Sequence, residues 1–229
     1  MDCLHENGDR LMCRFLAWIG APRFLDDFVV KADQSLVTLS RSALVGKTSL
    51  NADGFGLAWY SERDTPCIYK DVYPAWPDAN LMQIASHTKA RVFLAHVRAS
   101  TSTATSRNNC HPFSRGRWSF MHNGQLGGHL KLRQKLDGMI PLECYDQRYG
   151  ATDSEAIFLV AAGLGLDQAP IVAMERNHPS SPAALARVRY VKSPTLMRLV
   201  QSGMLGVAGV SFSGVIYAPI SQPGFPRLC

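Results

Sequence analysis

Short apolar runs of strand length recur along the chain, and turn residues end most of them. These runs occupy residues 12–20, 55–60, 67–73, 91–97 and 118–124, and Gly20-Ala21-Pro22 predicts a turn after the first of them. Helical segments are predicted between and after them, at residues 81–90, 129–136 and 152–166, and residues 25–44, apolar at mixed spacing, are predicted to be partly helical. Thr152-Asp153-Ser154-Glu155 has the form of a capping box at the start of the last helix. Strands at hairpin-like distances, interleaved with helices, favour an α+β layered sandwich over a strictly alternating β-α-β fold.

The composition argues against several classes of protein. Apolar residues make up 46% and charged residues 18%, and no apolar run approaches the length of a membrane span. The net charge of +6 comes from scattered Lys and Arg, without the dense basic run of a nucleic-acid-binding arm. The six cysteines are spread out without a CxxC pair, which favours free thiols over a disulfide framework. We therefore expect a cytoplasmic protein with neither a nucleic-acid nor a membrane partner.

Four polar clusters stand at the ends of the predicted elements. They are Met12-Cys13, the stretch 95–101, His122-Asn123-Gly124 and Thr152-Asp153-Ser154-Glu155. Each has a structural explanation when it is taken alone. Apolar strands often bury a cysteine, Asn-Gly is a frequent hairpin turn, and an aspartate is favourable at a helix N-terminus.

Taken together, the clusters supply the parts of a cysteine-dependent hydrolase. If Met12 is the start and is removed, Cys13 has a free α-amine with a pKa of roughly 7.7–8.0, which can accept the thiol proton. The amide of Asn123 and the backbone N–H of Gly124 are candidates for an oxyanion hole. Nucleophile, base and oxyanion donors are then present without a separate Cys/His pair.

Six motifs in this order resemble the glutaminase domain of the class II glutamine amidotransferases. They are Met-Cys-Arg-Phe-Leu, Asp-Gly-Phe-Gly, His-x-Arg-Ala-Ser, His-Pro, His-Asn-Gly and Thr-Asp-Ser-Glu, between residue 12 and about residue 166. Each motif is weak alone, and the six in register are strong. The chain is most similar to small stand-alone members that act on γ-glutamyl compounds in ergothioneine biosynthesis and glutathione degradation.

The resemblance implies a fold and a set of roles. The fold is the N-terminal-nucleophile type, a four-layer αββα sandwich with two antiparallel sheets between helices. Cys13 attacks the γ-carbonyl, and Asn123 and Gly124 stabilise the oxyanion. Arg98 pairs with the substrate α-carboxylate and Asp153 holds the α-ammonium, as a guanidinium fork and a carboxylate suit. His96 and His122 then shape the pocket through hydrogen bonds, with direct catalysis as the alternative.

Two departures from the family pattern divide the chain into three parts. Residues 1–12 precede Cys13 and block its α-amine unless translation starts at Met12 or a protease removes them; otherwise the protein is inactive. Residues 13–176 form the predicted amidotransferase domain. Residues 177–229, rich in Pro, Ser and Gly, diverge from the family. We expect this tail, frameshifted or otherwise divergent, to leave one sheet incomplete.

The predicted activity is hydrolysis of glutamine or another γ-glutamyl amide through a thioester on Cys13. Since the chain leaves no room for a synthetase domain, we expect it either to release its own products or to pass ammonia to a partner subunit. Two alternatives stay open: a degenerate binding protein, and an N-terminal cysteine hydrolase of another acyl amide. We expect no cofactor and no metal, because the candidate ligands lack zinc-type spacing: His87, His96, Cys110, His111 and His122.

Overall fold

The computed structural model describes residues 14–42, 53–99, 103–122, 126, 128–170, 173, 206–211 and 214–219. The strands are β1 (Arg14–Phe24), β2 (Phe55–Tyr60), β3 (Cys67–Asp71), β4 (Lys89–Val97), β5 (Phe113–Arg115), β6 (Trp118–His122), β7 (Gly206–Ser211) and β8 (Gly214–Pro219). The helices are α1 (Asp26–Val29), α2 (Leu36–Ser42), α3 (Ala79–His87), α4 (His129–Asp137), α5 (Leu142–Tyr145) and α6 (Asp153–Gly163). A single turn of 3₁₀ helix spans Arg107–Asn109.

The strands form two sheets of four, and every pairing is antiparallel. In the first sheet the order is β1-β4-β2-β3, and in the second it is β5-β6-β8-β7. We call them sheet A and sheet B. Strand β4 is central in sheet A, which explains why its sequence is an almost unbroken apolar run.

Alternation of side chains divides sheet A into two buried faces. Phe93, Ala95 and Val97 of β4 pack with residues of α1, α2 and α3 on the outer face. Leu94, on the opposite face, packs with Ala58 of β2 and Met121 of sheet B. Because successive strand residues point to opposite sides, one strand contributes to both layers.

Sheet B is covered by helix α6 on its outer face. The Phe120 and Phe158 rings are stacked with their centroids 5.4 Å apart. Between the sheets, the Tyr60 hydroxyl lies 2.7 Å from the Ser119 hydroxyl and donates a hydrogen bond to it. The layers therefore run helix, sheet, sheet, helix, and this confirms the predicted αββα sandwich of two antiparallel sheets.

Several predicted boundaries were wrong, among them the ends of the first strand and of the helix over residues 81–90. Strand β1 continues past the turn expected at residues 20–22, with a shift of register between Ile19 and Arg23. Such a bulge admits Pro22, which cannot donate to a regular ladder. The helix expected over residues 81–90 ends at His87, because Lys89 already belongs to β4, where it pairs with Phe24 of β1.

The described part of the tail contributes two strands to sheet B. Strand β8 pairs with β6 from Ser119↔Tyr217 to His122↔Gly214, and β7 pairs with β8. The sequence pattern did not predict these strands, and the expectation that the divergent tail leaves one sheet incomplete stays a prediction. The different origin of residues 177–229 stays a prediction. None of the helices in the described ranges has the length and apolar character that a membrane span needs.

Candidate active site

His96 lies near the end of β4 on the face toward sheet B. It is fully buried, and neither ring nitrogen has a hydrogen-bond partner among the described residues. Burial is the largest cause, and together with the nearby charges of Arg98 and His122 it lowers the pKa of His96 to about 3. The imidazole is therefore neutral at physiological pH.

The ring of His111, in the loop that leads into sheet B, packs against the ring of His96 at a tilt of 32°. The ring centroids are 4.4 Å apart, and His111 also meets the edge of Phe113 at 4.5 Å. Burial and the neighbouring His96 hold the pKa of His111 well below its usual value. The Gly56 backbone lies directly against the carbonyl of His111, so a Cβ at position 56 would collide with it.

Arg98 follows β4 and turns its guanidinium toward two neighbouring loops. The side chain is 4% exposed. Nη1 donates to the carbonyl of Asp53 at 3.3 Å, while Nη2 donates to the Thr103 hydroxyl at 2.6 Å and to its carbonyl at 3.3 Å. The Arg98 backbone N–H also donates to the carbonyl of Gly54 at 2.8 Å. The guanidinium is thus held by the chain on both sides.

His122 and Asp153 meet at the junction of β6 and α6. His122 Nδ1 lies 2.9 Å from the Ser154 hydroxyl. Asp153 accepts from the backbone N–H of Leu126 at 2.6 Å and of Ser154 at 2.8 Å. Burial lowers the pKa of His122, and the charge of Asp153 partly offsets the effect. The predicted cap is present, since the Thr152 hydroxyl accepts from the Glu155 N–H at 3.2 Å.

Cys13, Asn123 and Gly124 lie outside the described residues. Their described neighbours in the chain border the same region. Arg14, which follows Cys13, pairs with Val97, which precedes Arg98. His122, which precedes Asn123, lies close enough to His96 and His111 for its charge to lower the pKa of both.

Lys70 is a charged residue of this region that the sequence did not indicate. Across sheet A it pairs with Gly56, which in turn pairs with His96, so all three share one row. Its ammonium lies 5.0 Å from the centre of the Phe113 ring. Burial lowers the pKa of Lys70 to about 8. A lysine on an alternating strand looks solvent-exposed in sequence, and no motif marks it.

His111 was also absent from the predicted set of site residues, although the His-Pro motif could have indicated it. Among the described residues, no three His, Cys, Asp or Glu side chains are grouped so that they could bind a metal ion. The described cysteines Cys67, Cys110 and Cys144 are free thiols. Burial raises the pKa of Cys110, which makes its thiol a poor nucleophile.

Comparison with known proteins matches this arrangement to one family. The family model for class-II glutamine amidotransferases matches residues 28–163, which is more than half of the chain. The protein therefore belongs to the class-II glutamine amidotransferase family.

Individual relatives agree with this assignment. The probable glutamine amidotransferase DUG3 of Saccharomyces cerevisiae is 38% identical over 156 residues, covering 64% of this chain and 44% of DUG3. The gamma-glutamyl-hercynylcysteine sulfoxide hydrolase of Mycolicibacterium smegmatis is 36% identical over 115 residues, which cover 49% of this chain and 51% of that enzyme. The chain thus spans about half the length of the curated relatives it matches.

A solved structure supports the fold as well. A glutamine aminotransferase class-II domain protein from Silicibacter pomeroyi superposes with a TM-score of 0.55 at 39% sequence identity. The match covers 71% of this chain and 60% of that protein.

Proposed function

We propose that this protein hydrolyses γ-glutamyl amides through a γ-glutamyl thioester on Cys13. One observation carries the proposal: described residues that belong to or adjoin the four sequence clusters lie next to one another, and His122 lies near His96. Arg14 pairs with the residue before Arg98, and His122 contacts the first turn of α6 beside Asp153. Membership of the amidotransferase family and the name of the mycobacterial relative support the same chemistry.

In the proposed reaction Cys13 is both nucleophile and carrier of the base. Its α-amine, with an unperturbed pKa of roughly 7.7–8.0, takes the thiol proton as the sulfur attacks the γ-carbonyl carbon. The Asn123 amide and the Gly124 N–H stabilise the oxyanion. The C–N bond then breaks, and the leaving amine takes the proton from the α-ammonium. Water next attacks the thioester carbonyl, glutamate is released, and the Cys13 thiol is regenerated.

Arg98 and Asp153 are proposed to recognise the amino-acid head group of the substrate. A guanidinium fork pairs well with a carboxylate, and a carboxylate with an ammonium. Backbone and side-chain hydrogen bonds hold both groups in place before any ligand binds. Such preorganisation lowers the entropy cost of binding. His96 and His122 shape the pocket in this proposal. Burial lowers the pKa of both imidazoles, so both are neutral.

The fate of the amine and the setting of the protein are further parts of the proposal. We propose that the chain either releases the amine or delivers ammonia to a partner subunit. We also propose a cytoplasmic location, where free thiols such as Cys67 persist.

Intact-mass spectrometry on protein expressed from Met1 and from Met12 tests the proposal. Each form is measured before and after 6-diazo-5-oxo-norleucine, a reactive glutamine analogue with an intact amino-acid head group. We expect the Met12 form alone to lose its methionine and gain one adduct, located on Cys13 by peptide mapping. A Cys67→Ser variant is the matched control, because it removes an exposed thiol and should label equally.

Failure to label would point away from glutamine-directed chemistry. If both forms fold and neither reacts, the result favours the alternative that the protein is a degenerate member of the fold that acts by binding. If Cys13 reacts with iodoacetamide but not with the glutamine analogue, the hydrolase acts on another acyl amide.

A further inference from the structure

Asn109 lies buried between the loop after β4 and the start of α6. It is 2% exposed and is the last residue of the 3₁₀ turn. Its backbone N–H donates to the carbonyl of Ser106 at 3.0 Å, which fixes the turn. The adjacent Asn108 is exposed, so two asparagines in one turn have opposite environments.

Both ends of the Asn109 side-chain amide are used. Nδ2 donates to the carbonyl of Ala104 at 2.8 Å. Oδ1 accepts from the backbone N–H of Ala151 at 2.7 Å. Only this orientation of the amide satisfies both partners, because one is an acceptor and the other a donor. The side chain therefore acts as a bridge of fixed length between two loops.

The two loops carry the proposed head-group residues. Thr103, which precedes Ala104, accepts two hydrogen bonds from the guanidinium of Arg98. Ala151 stands two residues before Asp153, the first residue of α6. A chain of hydrogen bonds and short peptide segments thus runs from Arg98 through Asn109 to Asp153.

Gly150 closes the same junction from the other side. A Cβ there would come within 2.6 Å of Asn109 Oδ1 and 2.6 Å of the Asn108 carbonyl. The loop before α6 therefore sits against the 3₁₀ turn at backbone distance. Close packing makes the bridge rigid, because neither loop can move without displacing the other.

We infer that Asn109 is a positioning residue that sets the separation between Arg98 and Asp153, and so the selectivity for an amino-acid head group. The inference rests on the proposed function of that pair. Asn109 touches neither substrate nor nucleophile in this scheme. Its loss should therefore impair recognition of the head group and leave the reactivity of the cysteine intact.

Two alkylating reagents separate these effects. The glutamine analogue 6-diazo-5-oxo-norleucine needs its head group to be recognised, whereas iodoacetamide has none. We compare the second-order rate of Cys13 labelling by each reagent in the reactive form of the protein. The variants are Asn109→Ala, which removes both hydrogen bonds, and Asn109→Asp, which keeps the acceptor for Ala151. Asn108→Ala is the matched control; it removes only the exposed hydrogen bond from Asn108 Nδ2 to the carbonyl of Tyr149, at 3.3 Å.

We expect Asn109→Ala to slow labelling by the glutamine analogue about tenfold or more, because misplacement by about 1 Å can reduce rates about 100-fold. The rate at which iodoacetamide labels Asn109→Ala should stay within about twofold of the wild-type rate. The rate at which the glutamine analogue labels Asn109→Asp should fall between the rates of the wild type and Asn109→Ala. Asn108→Ala should behave as the wild type with both reagents.

Each contrary result has its own meaning. Equal slowing with both reagents, or no slowing in either Asn109 variant, overturns the positioning role while the proposed function stands. If Asn109→Ala does not fold, Asn109→Asp decides in the same way. If the wild type itself reacts with iodoacetamide and not with the glutamine analogue, the proposed function fails, and the head-group role of Asn109 fails with it.

Discussion

Gly56 and His111 show how single residues set the approach of the two sheets at the site. The His111 carbonyl lies against the backbone of Gly56, and the His111 ring packs against the ring of His96. A glycine in a strand lowers stability, because it loses more conformational entropy on folding than other residues do. At position 56 the close approach of another backbone nevertheless requires glycine. Packing thus explains the second glycine of the Asp-Gly-Phe-Gly motif, Gly56.

Substitution of Gly56 tests this contact. We expect Gly56→Ala to lower the free energy of unfolding by about 3 kcal/mol, because a backbone carbonyl cannot yield as a flexible side chain does. Urea denaturation measures the change. The control Gly138→Ala has a right-handed backbone with φ −67° and its nearest contact at 3.3 Å, so it should stay within about 0.5 kcal/mol. Equal effects of the two substitutions would contradict the explanation.

Helix α6 is held to its neighbours by a buried ionic cluster at its first turn. Arg148 pairs with Glu155 at 2.6 Å and with Asp137 of α4 at 3.1 Å, and the side chains of Arg148 and Glu155 are 5% and 6% exposed. Glu155 also accepts from the Gly150 N–H at 2.8 Å. The predicted capping box is therefore only half formed, since the Glu155 carboxylate is occupied by Arg148 and Gly150.

Removal of Arg148 should destabilise the fold far more than removal of an exposed arginine. We expect Arg148→Met to lower the free energy of unfolding by about 3 kcal/mol, because Glu155 is left as a buried charge without its cation. Arg133 offers a matched control, since it pairs with the same Asp137 at 3.8 Å and is 49% exposed. Arg133→Met should change stability by about 0.5 kcal/mol or less. Urea denaturation of both variants distinguishes the cases, and a similar loss in each would refute the argument.

For the whole molecule, three buried histidines make stability depend on pH. Burial lowers the pKa of His96, His111 and His122 below the value of roughly 6.5 that histidine has in the unfolded chain. Below that pH the unfolded chain binds more protons than the folded protein. The free energy of unfolding therefore falls as the pH falls from 6.5, and for His96 the fall continues toward pH 3.

We expect the free energy of unfolding to drop steadily between pH 7 and pH 5. Each histidine contributes at most about 1.4 kcal/mol per pH unit. Replacing His111 with Phe keeps an aromatic ring beside Phe113 and removes one titrating group, so the slope should decrease. A His87→Gln variant, altered at an exposed site, should keep the full slope. Urea denaturation at several pH values checks this, and a slope unaffected by His111→Phe would contradict it.

Much of the fold could be predicted because its signals are local. The strand at residues 55–60 is confirmed with its exact bounds, and the Thr152 cap stands one residue before α6 begins at Asp153. β7 and β8 were not predicted, since their Gly-Val-rich sequence has little alternation and their pairing with β6 is non-local. The bulge in β1 was not predicted either, because a Gly-Ala-Pro sequence taken alone is typical of a turn.

The apolar patterns of the sequence by themselves determined an α+β layered sandwich, because such patterns are properties of neighbours in the chain. The six motifs, through their resemblance to the class II glutamine amidotransferases, implied the four-layer αββα fold and the family. The sequence also singled out His96, Arg98, His122 and Asp153. Only the tertiary structure decided that His111 packs against His96, that Lys70 lies in one row with Gly56 and His96, and that Asn109 bridges the loops of Arg98 and Asp153. Those relations depend on how two sheets and a helix pack, and burial and distance between remote residues leave no mark in sequence spacing.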